Sequence, residues 1–339
     1  GRLDAGSEFA DLRLAFSAEC QWLMQKAQPR PRAPERLKFD LQRVQAGIAR
    51  GFEGAAVPTR GALVLLRVAN ATAARAWLST APVDDGRTTT LRDDAVLRHL
   101  AITRSGLDAL GIHADWLRAL PAEFGDGMDK RAGLLGDVRS NHPSVWRRPQ
   151  RNWSQATQGM SAPAGPPLAL ATVHLLVQLR TLEQPGEAGA GNFADLLPRL
   201  ATSVGQLGAP STGLEVLAVQ PLWSRALPPG QPAASGHMGF ADGISQPRLD
   251  ADSAGYWSDS VPTGELFIGY GNGRGDGPAP ASPLLDDGSF VVLRSYSQQL
   301  GRIDRVLDRA VAALAPAASS AQAAALRETI RAKMMGRRS

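Results

Sequence analysis

The chain has 339 residues, 43% of them hydrophobic, with 37 basic against 32 acidic side chains for a formal charge of +5. That is apolar material for a sizeable core and length for about two domains. There is no basic, aromatic-interleaved surface of a nucleic-acid binder. A lone Cys20 excludes an internal disulfide framework or thiolate metal site, and the longest apolar run (166–179) is too short to span a bilayer.

The opening GRLDAGSEF, without a methionine, reads as a cloning remnant, and QPRPRAP (28–34) reads as an extended arm within residues 1–39. No signal peptide is visible, so a cytoplasmic location is the expectation. LVLLRV (63–68) suits a buried strand, and NATAARAWLSTA (70–81) has helical composition with an asparagine placed to cap it. AVLRHLAIT (95–103) is a second strand. One or two amphipathic helices follow, broken at Gly111 and Pro121. After a Trp-, Arg- and Pro-rich loop (141–167) come a third strand (168–179), a helix (192–208) and a fourth strand (213–223). This β-α-β, insertion, β-α-β order is the split βαβ pattern of a ferredoxin-like α+β unit. SRALPPGQPAASG (224–236) reads as a linker, which divides the chain into residues 40–230 and 231–339. In the second part GELFIGY (264–270) and GSFVVLRSYSQQ (288–299) read as strands, and residues 300–315 and 319–335 as helices. A second ferredoxin-like unit built from these would be incomplete at its C-terminal end, with open edges near the two strands.

One stretch carries chemistry. HMGFADGISQP (237–247) sets Asp242 between Gly239 and Gly243, among Phe240, Ile244 and Pro247, with His237 nearby. An Asp-Gly pair on its own is ordinarily a turn, with the carboxylate on local amides. Here glycines on both sides let a flat ligand approach the backbone, and the apolar neighbours would keep the space dry. A carboxylate in such a place suits a proton shuttle.

GFADGISQP resembles the GXXDG signature of the dye-decolorizing peroxidases, with Gly239, Asp242 and Gly243 in the signature positions. FDLQRVQAGIARGFEG (39–54), ITRSGLDALGI, EFGDGMDKRAGLLGD, GELFIGYGN, DDGSFVVLRSYSQQL and AKMMGR resemble family segments in the same order, so the likeness runs from about residue 39 to 337. The resemblance implies two ferredoxin-like domains, with haem b held in the second by Asp242, Gly243, Ile244, Ser245 and Gln246. It implies that Asp242 moves a proton from the inner to the outer oxygen of iron-bound hydrogen peroxide, and that the oxidised haem then acts on bulky phenols or dyes. Exposed aromatics relay electrons in this family, and Trp257, Tyr256 and Tyr296 are the candidates here.

The chain departs from the family in one respect. The five histidines are His99, His113, His142, His174 and His237, and none follows Asp242, where the family has its proximal iron ligand and a distal arginine. A ligand role for His237 would block the peroxide side. No protein side chain is therefore assigned to metal. The expected partners are hydrogen peroxide and an aromatic reductant, with no nucleic acid or membrane. A homo-oligomer or a complementing C-terminal fragment is a further possible partner. The competing expectation is a non-catalytic, degenerate or split family member that keeps the fold as a binding or structural module. A chlorite dismutase-like haem protein, sharing the paired fold, is a third reading that the motif disfavours.

Overall fold

The computed structural model describes residues 39–48, 60–88, 96–118, 120–146, 167–181, 202, 204, 206–223, 248–249, 260–273, 284–296 and 300–336. Its centre is a four-stranded sheet of β1 (Arg60–Val68), β2 (Val96–Ile102), β3 (Leu175–Thr181) and β4 (Leu214–Trp223). The strand order is β2-β3-β1-β4 and every pairing is antiparallel. Central β1 and β3 with β2 and β4 at the edges is the ferredoxin-like arrangement, so the fold is α+β as expected.

Successive residues of a strand point to opposite faces, so the apolar run of β1 supplies both faces of the sheet, while β3 buries alternate residues. Ala62, Val64 and Leu66 of β1 share one face with Leu175, Val177 and Leu179 of β3, with Val96 of β2 and with Leu214 of β4. Against them pack Ala74 and Trp77 of α1 (Ala71–Leu78), together with Leu110, Val204 and Leu207. Each fully buried valine or leucine here contributes about 1.5–3 kcal/mol. Asn70 caps α1 as expected, its side chain accepting the Ala73 amide at 3.0 Å. The Trp77 indole meets its polar need by donating to the Val204 carbonyl at 3.2 Å. The second face buries Leu65, Leu217 and Ala218 with Leu168 and Val173. The β1–β4 register shifts at Leu65/Leu66, so Leu217 is an extra residue on β4, a β-bulge.

The helical stretch after β2 divides into three pieces: α2 (Arg104–Ala109), α3 (Ala114–Arg118) and α4 (Ala122–Lys130), the last turning out of helical geometry at Gly127. The breaks at Gly111 and Pro121 fall where expected. In α2, Gly106 lies so close to β3 that an added Cβ would sit 2.0 Å from the His174 carbonyl oxygen, which only glycine permits. The third strand starts later than expected, because Leu170–Thr172 form a 3-10 turn that turns the chain toward Leu175.

Two expected strands are corrected. Residues 264–270 form a 3-10 turn (Thr263–Glu265) followed by further turns, with Gly269 at φ +97, and residues 288–296 are irregular. Both runs have strand composition. A strand, however, exists only through a ladder partner, and none of the described segments pairs with either. Between the two segments run two isolated backbone bonds, from the Ile268 amide to the Gly288 carbonyl at 2.9 Å and from the Asp287 amide to the Ile268 carbonyl at 3.2 Å, and they extend into no ladder among the described residues. Neither run forms the expected open strand edge: Phe290, Val291 and Val292 are exposed in irregular chain, whereas Phe267 is buried. Arm 28–34, linker 224–236 and most of the helix 192–208 lie outside the described residues.

Gly1–Ser224 with Gly243–Leu293 form one compact unit and Arg225–Asp242 with Arg294–Ser339 another, a grouping different from a division at 230/231. In the second unit α5 (Leu300–Leu314) and α6 (Ser320–Met334) fall at the two expected helices, and they pair as a hairpin. Arg327 of α6 reaches Asp304 at 2.5 Å and Asp308 at 3.0 Å on α5, and Ser319 and Gln322 form a capping box. No helix among the described residues is long and apolar enough to cross a membrane.

Candidate functional site

The motif stretch 237–247 lies outside the described residues. His237, Asp242, Gly243, Ile244, Ser245 and Gln246 therefore have no described geometry, nor do Tyr256 and Trp257. What is described is the chain on either side. β4 ends at Trp223, and β5 (Arg248–Leu249) resumes directly after Pro247 and pairs in parallel with β6 (Ser260–Val261).

Leu249 is buried with Val44 and Phe267, and Phe39, Leu41, Ile48 and Tyr270 pack around them. The aromatic rings meet at angles: Phe39 lies 5.0 Å from Phe267 and 5.7 Å from Tyr270, the latter edge-on. The segments that meet here are FDLQRV, GELFIGY and the chain leaving the motif.

A polar node closes this cluster. The Asp287 side chain is 3% exposed and its backbone is left-handed at φ +63. Arg43 sets Nη2 2.6 Å from Asp287 Oδ2, and the Tyr270 hydroxyl donates to Oδ1 at 2.5 Å. A buried carboxylate needs both a countercharge and a donor. Burial first, then this hydrogen bond and the aspartate's charge, push the Tyr270 phenol well above its ordinary range. Sequence reading missed this node. Asp287 stands in a DDG triplet that signals only a turn, and its partners are distant in the chain.

Four histidines are described, and each sets Nδ1 against an amide donor. His174 Nδ1 accepts the Val68 amide at 3.0 Å, and burial and the nearby Arg67 charge lower its pKa, while a backbone bond at Ala171 opposes the shift. His142 Nδ1 accepts the Ser144 amide at 3.1 Å. On the second sheet face His99 Nδ1 lies 3.1 Å from the side-chain amide of Gln178, its cross-strand partner, and Arg180 lies beyond it. Burial lowers the Arg180 pKa. His113 is exposed, its Nδ1 between the Asp115 amide at 3.3 Å and the Asp115 carboxylate at 3.2 Å. Among the described residues no three His, Cys, Asp or Glu side chains gather as a metal site. Of the three aromatics named as relays only Tyr296 is described. It is exposed, with the Arg294 guanidinium 4.8 Å from its ring centroid.

No protein-family model and no curated protein sequence matches the chain. Solved structures do. One is a variant dye-decolorizing peroxidase in complex with cyanide, at 21% identity and TM-score 0.59, covering 88% of this chain and 59% of that one. Another is a dye-decolorizing peroxidase in complex with 2,6-dimethoxyphenol, at 21% identity and TM-score 0.58, with the same coverage of 88% and 59%. A third is a decolorizing peroxidase from Auricularia auricula-judae, at 19% identity and TM-score 0.60, covering 87% of this chain and 56% of that one. At these identities the likeness establishes the fold. The chain spans 56% to 59% of the length of these structures.

Proposed function

We propose that this chain is a dye-decolorizing-type haem peroxidase, or one part of such an enzyme, which reduces hydrogen peroxide at the expense of bulky phenols or dyes. The observation that carries the reading is the fold. The four-strand order and a structural likeness covering 87% to 88% of the chain support it, and the sequence resemblance of stretches such as GFADGISQP stands beside them. In this reading residues 40–230 form the first ferredoxin-like domain and 231–339 the haem side. Asp242, Gly243, Ile244, Ser245 and Gln246 would line haem b there, and haem would supply the redox chemistry. Asp242 takes one proton from hydrogen peroxide at one oxygen and returns it at the other, which a carboxylate in a dry, glycine-flanked turn is suited to do. Tyr296 is a candidate entry point for electrons from the reductant.

Three of the four described histidines do not fit as axial ligands. His99, His142 and His174 each point Nδ1 at an amide, whereas a metal-bound imidazole ordinarily donates from its second nitrogen to a carbonyl or carboxylate. That mismatch favours a second reading, a non-catalytic module that keeps the fold for binding, alone or with a complementing fragment.

One experiment separates the two. The purified chain is titrated with haem while the Soret band is followed, then mixed with hydrogen peroxide in a stopped-flow instrument beside Asp242→Asn. The enzyme reading expects haem uptake and peroxide consumption that the variant slows by about a hundredfold or more, the scale of a lost general acid–base. Peroxide consumption equal in both proteins would leave Asp242 a turn residue, and no haem uptake would leave the module reading.

A further inference from the structure

The polarity of the histidines can be taken further, beginning with His99. Arg180 carries only N–H donors and keeps its proton under all working conditions. It therefore decides how the Gln178 amide lies. With the amide oxygen toward Arg180, that oxygen accepts from Nε at 3.1 Å and Nη2 at 2.8 Å, and the amide nitrogen faces His99 Nδ1 at 3.1 Å. The opposite orientation would set amide N–H groups against guanidinium N–H groups. The bonds thus run one way, from guanidinium to amide to imidazole. Nδ1 of His99 is an acceptor, so the neutral ring carries its proton on Nε2, an atom that is buried without a hydrogen-bond partner among the described residues.

The same polarity recurs by simpler means. The Val68 amide fixes Nδ1 of His174 as an acceptor. At His142, Nδ1 faces both the Ser144 amide at 3.1 Å and the Ser144 hydroxyl at 2.8 Å; the hydroxyl can donate or accept, but the amide can only donate, so it makes Nδ1 the acceptor. An imidazole that binds a metal through Nε2 must leave that nitrogen unprotonated and carry its proton on Nδ1. Each of these rings would then push an N–H against an N–H. Binding through Nδ1 would instead displace the amide donor. The exposed His113, which faces a carboxylate, escapes this constraint.

We infer that His99, His142 and His174 are held as Nε2–H tautomers by N–H donors at Nδ1 and supply no ligand to haem iron or to another metal. The choice of haem rests on the proposed peroxidase reading. The tautomers do not depend on it, and the test keeps the two apart.

The protein labelled with 15N-histidine, free of haem, is studied by long-range proton–nitrogen correlation, with each ring assigned by the loss of its signals in His99→Gln, His142→Gln and His174→Gln. The expected result is a pyridine-type Nδ1 and a pyrrole-type Nε2 in all three rings. A pyrrole-type Nδ1 in any of them overturns the inference for that ring. Gln178→Glu replaces the amide donor by an acceptor and should put a proton on Nδ1 of His99 alone, with Thr181 and Val177 amide shifts as the check that β3 is intact. An unchanged His99 would mean that the Gln178 amide does not set its tautomer. In a second arm His99→Ala, His142→Ala and His174→Ala are titrated with haem, and each should keep the parent's Soret position and affinity. A loss of more than about tenfold in any of them, the scale of a disturbed ligand set, would make that histidine a ligand. If the parent takes up no haem, the peroxidase reading fails while the tautomer arm still decides the inference.

Discussion

Two regions of the first unit bury apolar side chains equally well and do so by different means. In the four-stranded sheet Leu66, Leu175 and Leu179 are fully buried, and their backbone amides and carbonyls are spent on ladder bonds to neighbouring strands. Around Phe267 and Leu249, also buried, the backbone runs in turns and irregular stretches, and Arg43, Asp287 and Tyr270 tie distant segments together through side chains. Apolar residues supply what both regions bury. Whether the chain becomes a strand depends on a partner strand.

The comparison predicts that damage in the second region stays there. Phe267→Ala should cost about 3–5 kcal/mol locally, the range for deleting a buried aromatic. Hydrogen exchange should rise at residues 260–273 and 284–288 while β1 and β3 amides keep their protection. Equal loss of protection in the sheet would show that the two regions unfold as one. Arg43→Met should come next, at about 1–3 kcal/mol, because it leaves the buried Asp287 carboxylate with a hydroxyl but no countercharge. The fall in urea midpoint should shrink in Arg43→Met/Asp287→Asn if the pair is what matters. A smaller effect is expected at the sheet: Asn70→Ala removes the cap of α1 for about 1 kcal/mol, read as a lower melting temperature with unchanged exchange at Phe267.

The smallest effect is a pH slope. The folded pKa of His174 lies below its ordinary 6.5, so the unfolded chain binds the proton more readily. Its contribution is complete above that value and is lost as pH falls from there toward the lowered one. His174→Asn, whose oxygen can still accept the Val68 amide, should flatten that part of the urea-stability curve. An unchanged slope would place the titration elsewhere.

The sheet was legible in the sequence because the clue was local. The short apolar runs in LVLLRV and GLEVLAVQ, and a capping asparagine before ATAARAWL, each specify their element within a few residues. The runs at 264–270 and 288–296 carry the same composition and misled, since composition cannot announce the absence of a ladder partner. The polar groups were illegible for a related reason. Nothing near Asp287 points to Arg43, and the pairing of His99 with Gln178 exists only through the β2–β3 register. Asp242 was singled out by its flanking glycines, a local signal, and its role is a matter for the Asp242→Asn experiment.

The bulge in β4 has a consequence for how this strand can change length. Before it, the core-facing positions are Leu214 and Val216; after it, the core-facing position is Val219, so the odd-even phase of the strand switches at Leu217. Excising Leu217 alone would join Val216 to Ala218 in plain alternation, and every remaining side chain would keep its side of the sheet. Excising a residue on either side of the bulge would turn the strand beyond it inside out. Leu217 is therefore the position where β4 can lose a residue without moving its pattern, and the deletion would forfeit about 1.5–3 kcal/mol of burial in the second face. Length variation within this strand, if related chains show it, should gather at that one residue.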